Sequence, residues 1–173
     1  SVTSGAGGST KKGTCEAVLK MHTLGLPTAP HISCMGSSLE DIKSIVNNYQ
    51  HKGINRLVVL RGDLPSGFGD SSSYLRNAND LVELIRKETG DWFDIKVAAY
   101  PEMHPQSKSP QEDVCYFVKK IKSGANSAIT QYFYNPDAYF YFVEAVKKKG
   151  VFVPIVPGIL PITNYSQLVR FSD

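Results

Sequence analysis

Short apolar runs alternate along this 173-residue chain with longer stretches whose apolar residues recur at helical spacing. The short runs predict β-strands, and the longer stretches predict amphipathic helices. The predicted strands cover residues 28–34, 54–60, 94–100, 127–133 and 151–158, and residues 1–3 look like the end of another strand. The predicted helices cover residues 11–24, 37–53, 77–89, 109–124 and 135–150, with a last helix starting at Asn164.

Two of the predicted helices begin with residues that can cap a helix. In the second helix, Ser37 and Glu40 have the spacing of a capping box. In the fourth, Ser109 is predicted as the cap, with Pro110 at the first helical position and Glu112 completing the box. These residues place the helix starts independently of the apolar pattern.

Strands that alternate with helices indicate βαβ units and a parallel sheet, which is either an open doubly wound sheet or a (β/α)8 barrel. A doubly wound sheet concentrates its site at one switch point, whereas a barrel collects site residues from the carboxyl ends of all its strands. Polar or unusual residues follow nearly every predicted strand, namely Thr3, His31, Arg61, Gly62, Asp63, residues 100–104, Gln131, Pro157 and Gly158. No G-x-G-x-x-G or P-loop motif supports the open sheet. The sequence therefore predicts an α/β fold of the (β/α)8 TIM-barrel type, present as an incomplete segment with about six of the eight strands.

Composition and charge narrow the class of protein. The net charge is +3, and basic residues cluster only at predicted helix ends, where the helix dipole favours cations, so a nucleic-acid surface is not expected. Three cysteines without a C-x-x-C pair indicate a reducing compartment and argue against a structural zinc site. No apolar run reaches membrane-spanning length. We expect a cytoplasmic protein that binds no metal, nucleic acid or membrane.

The residues at the strand ends also suggest a kind of ligand. They combine donors for phosphate or a ring carbonyl with a carboxylate, an amide and a flat aromatic face, supplied by Arg61, His104, Lys120, Asp63, Gln131 and Tyr100. Taken singly, these positions have simpler explanations. His31 could be a satisfied core histidine, Tyr100 and Tyr132 could be core aromatics at a sheet end, and Gln131 could cap a neighbouring loop. Together they suit a large, flat and partly anionic ligand, which the residues alone do not identify.

Four longer segments carry a resemblance to a known family. LRGDLP, AAYPEMHP, GANSAITQYFY and PIVPGILPI, in this order and at these separations, resemble the methylenetetrahydrofolate reductase family, and the resemblance runs from SVTSGA to NYSQLVRF. It implies a (β/α)8 barrel with non-covalently bound FAD. It also implies that NADH or NADPH passes a hydride to the flavin, which then reduces 5,10-methylenetetrahydrofolate to 5-methyltetrahydrofolate. In the family the two substrates take turns, which implies ping-pong kinetics.

Carried over by position, the resemblance implies which residues surround each ligand. Around FAD it places Thr3, Ala6, His31, Arg61, Gly62, Asp63, Ala78, Tyr100, His104, Ser107, Asp113, Lys119 and Lys120. On the substrate side it places Asp63, Gln131, Gln167 and Phe171. Asp63 would have a catalytic role, because its charge tunes the flavin and it also binds folate. The family's general-acid glutamate lies on a strand before Ser1, and its position does not support Glu102 as a substitute.

Three positions depart from the family pattern. Ser4 stands where close relatives carry an aromatic residue, and Tyr116 stands where a small polar group is expected near the cofactor phosphates. Lys119 stands where arginine would make a bidentate contact, so that contact is expected to be weaker or absent.

The strand count also bears on domain organisation. We expect residues 1–173 to form one catalytic barrel domain that lacks the first strand and the C-terminal part, as a segment of a longer, homo-oligomeric protein. Open sheet edges would make such a segment poorly soluble when expressed alone. Two other hypotheses stay open, a pterin-binding barrel enzyme without flavin and a non-catalytic fragment or binding module. The sequence does not indicate whether NADH or NADPH is preferred.

Overall fold

The computed structural model describes residues 1–3, 11–34, 37–62 and 75–161, and within them strands and helices alternate as the sequence predicts. The strands are β1 His31–Ser33, β2 Arg56–Leu60, β3 Asp94–Ala99, β4 Ser127–Thr130 and β5 Ile155–Val156. The helices are α1 Lys11–Thr23, α2 Leu39–His51, α3 Ala78–Thr89, α4 Pro110–Lys122 and α5 Pro136–Lys148. The predicted helix from Asn164 lies outside the described residues.

The five strands form one parallel sheet in which every strand neighbours the next one along the chain. In this register Val58 of β2 lies opposite both His31 of β1 and Lys96 of β3. An isolated parallel bridge between Val2 and Pro30 adds the predicted sixth strand position beside β1. A sheet in strict chain order has no switch point, so the (β/α)8 arrangement is confirmed over the doubly wound one, with about six of the eight strand positions in the described residues.

The hydrophobic core lies between the sheet and a layer of helices in which each of α2 to α5 contacts the next. On β3, Ile95, Val97 and Ala99 point into this core and are fully buried. The alternate residues, including Lys96 and Ala98, are half-buried. The second face of β3 borders the cleft described below.

A serine caps both α2 and α4, as predicted, but the residues that complete each cap differ from the prediction. The cap of α2 is Ser38, whose side chain accepts from the Asp41 N–H at 3.1 Å, and Asp41 completes the capping box. The predicted box of Ser37 with Glu40 is therefore wrong by one residue. Ser109 does cap α4, but the Glu112 carboxylate accepts from the N–H of Lys108 at 2.8 Å rather than from that of the cap.

The strand predicted over residues 151–158 is shorter than its apolar run, because only Ile155–Val156 pairs as strand β5. Pro154 and Pro157 lack an N–H and cannot donate to the ladder. Gly158 follows, and its N–H donates to Thr130 Oγ1 at 2.8 Å. A Cβ at Gly158 would lie 2.2 Å from the Thr130 carbonyl oxygen, so this close approach to β4 requires glycine.

One arginine ties helix α3 to the amino-terminal ends of β3 and β4. The Arg86 guanidinium donates to four oxygens, namely the carbonyl oxygens of Gly124 at 2.9 Å, Gly90 at 3.1 Å and Phe93 at 2.9 Å, and Asn126 Oδ1 at 2.6 Å. Asn126 Oδ1 accepts a second bond from the Ile95 N–H at 2.8 Å. The cluster lies at the end of the sheet that carries stability rather than chemistry in (β/α)8 barrels.

No helix among the described residues is both long and apolar enough to cross a lipid bilayer.

Replacing Arg86 tests this cluster. We expect Arg86→Ala to lower the free energy of unfolding by about 1–3 kcal/mol, because the part-buried carbonyl oxygens of Gly124 and Phe93 lose a charged donor. Arg86→Lys should recover only part of this loss, since an ammonium cannot reach four acceptors in a planar fork. The control is Arg56→Ala, at an exposed arginine that begins β2, which should cost less than about 0.5 kcal/mol. Equal losses for Arg86→Ala and Arg56→Ala in urea denaturation would contradict the assignment.

Candidate functional site

An open cleft of about 670 Å³ lies at the carboxyl ends of β2, β3 and β4 and reaches His31 at the start of β1. Its volume falls within the range of about 300–1,000 Å³ that is typical of small-molecule sites. Most of the residues singled out in the sequence line it, namely His31, Arg61, Gly62, Ala78, Tyr100, His104, Ser107, Asp113, Lys120 and Gln131. The parallel sheet thus brings together residues that are far apart in the chain.

Two of the expected residues do not line this cleft. Thr3 is exposed, and its carbonyl oxygen accepts from Thr14 Oγ1 at 3.1 Å. Lys119 is exposed and is absent from the lining, although its neighbour Lys120 belongs to it. Four further expected residues and one departure from the family lie outside the described residues: Ala6, Asp63, Gln167, Phe171 and Ser4.

Some lining residues were not predicted. Asn77 and Asn79 flank Ala78 at the start of α3, and Gln106 lies in the β3–α4 loop. The signal for the asparagines was present, since both stand in the first turn of the helix that follows β2. Tyr116, which departs from the family pattern, also lines the cleft and is about half exposed at 53%.

Lys120 supplies a cation beneath the cleft. Its Nζ donates to the Ala98 carbonyl oxygen and lies 5.6 Å from the centre of the Tyr100 ring and 5.7 Å from that of Phe117. Burial lowers the pKa of Lys120 to about 8, and the nearby Asp113 carboxylate opposes this shift only in part. The ammonium is thus charged near neutral pH and loses its proton at mildly alkaline pH.

The Asp113 carboxylate fixes the β3–α4 loop, residues 100–109, against α4. Asp113 is only 7% exposed, and it accepts from the His104 N–H at 3.0 Å and from Ser107 Oγ at 3.2 Å. The His104 ring meets the Tyr100 ring edge-on, with 4.5 Å between centres. The Gln106 N–H donates to His104 Nδ1 at 3.1 Å, which favours the tautomer whose proton is on Nε2. His104 can therefore donate a hydrogen bond from Nε2.

Arg61 and Gly62 follow the end of β2 on the neighbouring side of the cleft. The Arg61 carbonyl oxygen accepts from the buried Cys34 thiol at 3.1 Å, which ties this segment to β1. Gly62 has a φ of 79°, a conformation that suits glycine and leaves no side chain between the backbone and a ligand. Burial lowers the pKa of His31, which favours its neutral form.

The cleft can hold a planar ligand that carries negative charge. Lys120 and Arg61 supply cations, Tyr100 supplies an aromatic ring, and Gln131 supplies an exposed amide at the end of β4. Among the residues that the structure describes, no group of three His, Cys, Asp or Glu side chains could hold a metal ion.

A parallel sheet in strict chain order, with a ligand-sized cleft at its carboxyl edge, defines a (β/α)8-barrel protein with a small-molecule site. The family model described as methylenetetrahydrofolate reductase matches residues 1–173, and the chain belongs to this family. The 5,10-methylenetetrahydrofolate reductase of Buchnera aphidicola subsp. Schizaphis graminum is 44% identical over all of the chain and 58% of its own length. The chain spans about half the length of the curated relatives it matches.

Two solved structures resemble the fold, each at 18% sequence identity. A phosphonopyruvate hydrolase in complex with oxalate and Mg²⁺ aligns with a TM-score of 0.66 over 96% of this chain and 56% of that one. A protein from Clostridium thermocellum, described as binding two copies of 5-methyl-5,6,7,8-tetrahydrofolic acid, aligns with a TM-score of 0.52 over 78% of this chain and 44% of that one. At this identity the likeness concerns the fold alone, and it agrees with the barrel arrangement.

The lowered pKa of Lys120 makes the binding of an anionic ligand depend on pH. Below about pH 8 the ammonium can attract an anionic ligand, and above it the ligand-free protein releases this proton, so the affinity should fall by up to about tenfold per pH unit. With FAD, the cofactor proposed below, we expect fluorescence titration to show this fall. Lys120→Met should bind weakly and without it, whereas Lys122→Met, an exposed lysine at the end of α4, should keep the wild-type profile.

The stability of the ligand-free protein should respond in the opposite direction. Between about pH 8 and pH 10.5 the unfolded chain retains the Lys120 proton that the folded chain has released, so the free energy of unfolding rises with pH.

In the binding experiment, an affinity for FAD that does not change between about pH 8 and pH 10.5 would show that Lys120 does not face the anionic part of the ligand.

Proposed function

We propose that the chain forms the cofactor- and folate-binding region of a flavoenzyme that reduces 5,10-methylenetetrahydrofolate to 5-methyltetrahydrofolate with NADH or NADPH. One observation carries the proposal: most of the residues that the family resemblance assigns to FAD, together with Gln131 from the folate side, line a single cleft. Family membership over residues 1–173 supplies the reaction. The cytoplasmic location, the homo-oligomeric state and the single catalytic domain over residues 1–173 stay predictions from the sequence.

The residues that line the cleft fit FAD in charge and in shape. The Lys120 ammonium would neutralise phosphate charge, and His104 Nε2 would donate a hydrogen bond. Gly62 permits close approach of the backbone to a flat ring, and Tyr100 offers an aromatic surface. When bound, the flavin would supply hydride transfer, while the protein orients the cofactor and adjusts its electronic properties.

Gln131 is the residue proposed to recognise folate among those described. Its side chain is exposed at the end of β4, and an amide can both donate to and accept from the edge of a pterin ring. A protein of similar fold is described as binding 5-methyltetrahydrofolic acid, which is compatible with a folate as ligand. Asp63, Gln167 and Phe171 are proposed on the folate side from family positions, and the general-acid glutamate is proposed on a strand before Ser1.

A shared cleft also supports ping-pong kinetics. Tyr100 follows β3, Gln131 follows the neighbouring strand β4, and both line the same open space. A folate held by Gln131 would occupy the space that a nicotinamide needs in order to reach the flavin. The two substrates would therefore bind in turn.

Spectroscopy tests the proposal on the longer protein of which residues 1–173 are expected to be a segment, because this segment alone is expected to be poorly soluble and to lack the general-acid glutamate. We expect the absorption bands of a flavin at one equivalent per chain. Anaerobic addition of NADH or NADPH should bleach these bands, and 5,10-methylenetetrahydrofolate should then restore them. A protein that binds folate and lacks flavin would instead be a pterin-binding barrel of another kind. A protein that binds neither would be a non-catalytic module.

Replacing Gln131 should separate folate binding from cofactor binding. We expect Gln131→Ala to raise the KM for methylenetetrahydrofolate by roughly tenfold, the effect of losing about one neutral hydrogen bond. Flavin content and bleaching by the nicotinamide cofactor should not change. Gln111→Ala, at an exposed glutamine in the first turn of α4, is the matched control and should behave as wild type. Loss of flavin from Gln131→Ala would instead assign this residue to the cofactor.

A further inference from the structure

Glu102 joins two loops at the carboxyl edge of the sheet. It stands in the β3–α4 loop, two residues after Tyr100. Its Oε1 accepts from two backbone N–H groups of the β4–α5 loop, that of Asn135 at 2.9 Å and that of Tyr134 at 3.3 Å. The bonds therefore connect segments that lie more than thirty residues apart in the chain.

The two N–H groups that Glu102 meets lie where a carboxylate is favoured, at the start of helix α5. Asn135 is the cap of α5, a helix of 13 residues, and its own side chain accepts from the Asp137 N–H at 3.0 Å. The N–H groups that precede this first turn have no partner within the helix, and the positive end of the helix dipole favours an anion there. Glu102 thus meets donors that the helix itself cannot satisfy.

These bonds fix the segment that carries Gln131. At the β4 end, the Gln131 N–H donates to the Ala99 carbonyl oxygen of β3 at 2.8 Å. At the α5 end, Glu102 holds Tyr134 and Asn135. The segment over residues 131–135 is therefore fastened at both ends to β3 or to the loop that follows it.

We infer that Glu102 is a positioning residue that sets the place of Gln131 relative to Tyr100, and so the geometry of the proposed folate side of the cleft. The inference deepens the proposed function and rests on it for the identity of the ligand. The role assigned to Glu102 is that of a hydrogen-bond acceptor at Oε1, which is distinct from proton donation.

Hydrogen exchange tests the positioning without reference to any ligand. We expect Glu102→Ala to accelerate amide exchange across residues 131–138 by about tenfold or more, since each lost bond opens the loop. Glu102→Gln keeps a side-chain oxygen that can accept from both N–H groups, and it should exchange close to wild type. Glu144→Ala removes an exposed carboxylate from α5, paired with Lys147 at 2.7 Å, and should leave this segment unchanged. Unchanged exchange in Glu102→Ala would overturn the inference, whatever the protein binds.

Kinetics then test whether this geometry serves folate. Glu102→Ala should raise the KM for methylenetetrahydrofolate by roughly tenfold, the effect of misplacing one hydrogen-bonding group, with bleaching of the flavin by the nicotinamide cofactor unchanged. Glu102→Gln should restore the KM. Equal loss of turnover in Glu102→Ala and Glu102→Gln, with normal exchange in the latter, would overturn the inference in favour of direct proton transfer. If the wild type lacks flavin bands, the proposed function fails, and the exchange experiment still decides the role of Glu102 in the loop.

Discussion

Parallel pairing of consecutive strands is the constraint on which the rest of the structure depends. Each strand of the sheet must be followed by a helix that returns the chain to the same starting edge, because parallel neighbours cannot be joined by a tight turn. All the carboxyl ends therefore meet at one edge. Arg61, Tyr100 and Gln131 are separated by 39 and 31 residues, and they converge on one cleft because each directly follows one of these strands. His31 reaches the same cleft from the start of β1, opposite Val58 of β2.

The same constraint explains why the order of elements could be predicted from the sequence. Apolar runs and helical periods locate all five strands and all five helices of the described residues, and Gly62 and Gly158 fall where the backbone needs glycine. The ends of elements were harder to predict. Ser37 and Ser38 are both acceptable caps by residue type, and only the observed fit of Asp41 to the Ser38 N–H distinguishes them. Strand β5 is short because pairing fails at proline, which an apolar count does not register.

The candidate site was predictable where it follows strand ends and less so where it depends on helix rotation or on loops. Lys119 and Lys120 are adjacent in sequence, but successive residues of a helix point about 100° apart, so only Lys120 reaches the cleft. Their residue types gave no reason to separate them, and the family resemblance assigned both to the cofactor. The bonds of Glu102 to the β4–α5 loop were not foreseen, because they join backbone groups whose approach depends on the strand register.

The two ends of the sheet are held in different ways, and this difference bears on function. At the amino-terminal end, Arg86 and Asn126 make three part-buried bonds, to the Gly124 and Phe93 carbonyl oxygens and from the Ile95 N–H. At the carboxyl end, Asp113 holds the β3–α4 loop and Glu102 holds the β4–α5 loop. Each carboxylate does so by accepting two hydrogen bonds. Removing the carboxylate of Asp113 or of Glu102 should disturb the loop that it holds and leave the sheet intact, because the strands do not depend on either carboxylate. Because Glu102 belongs to the same loop as His104, the loop of Gln131 is fastened to that loop, and its place in the cleft depends on two bonds to one carboxylate rather than on the sheet alone.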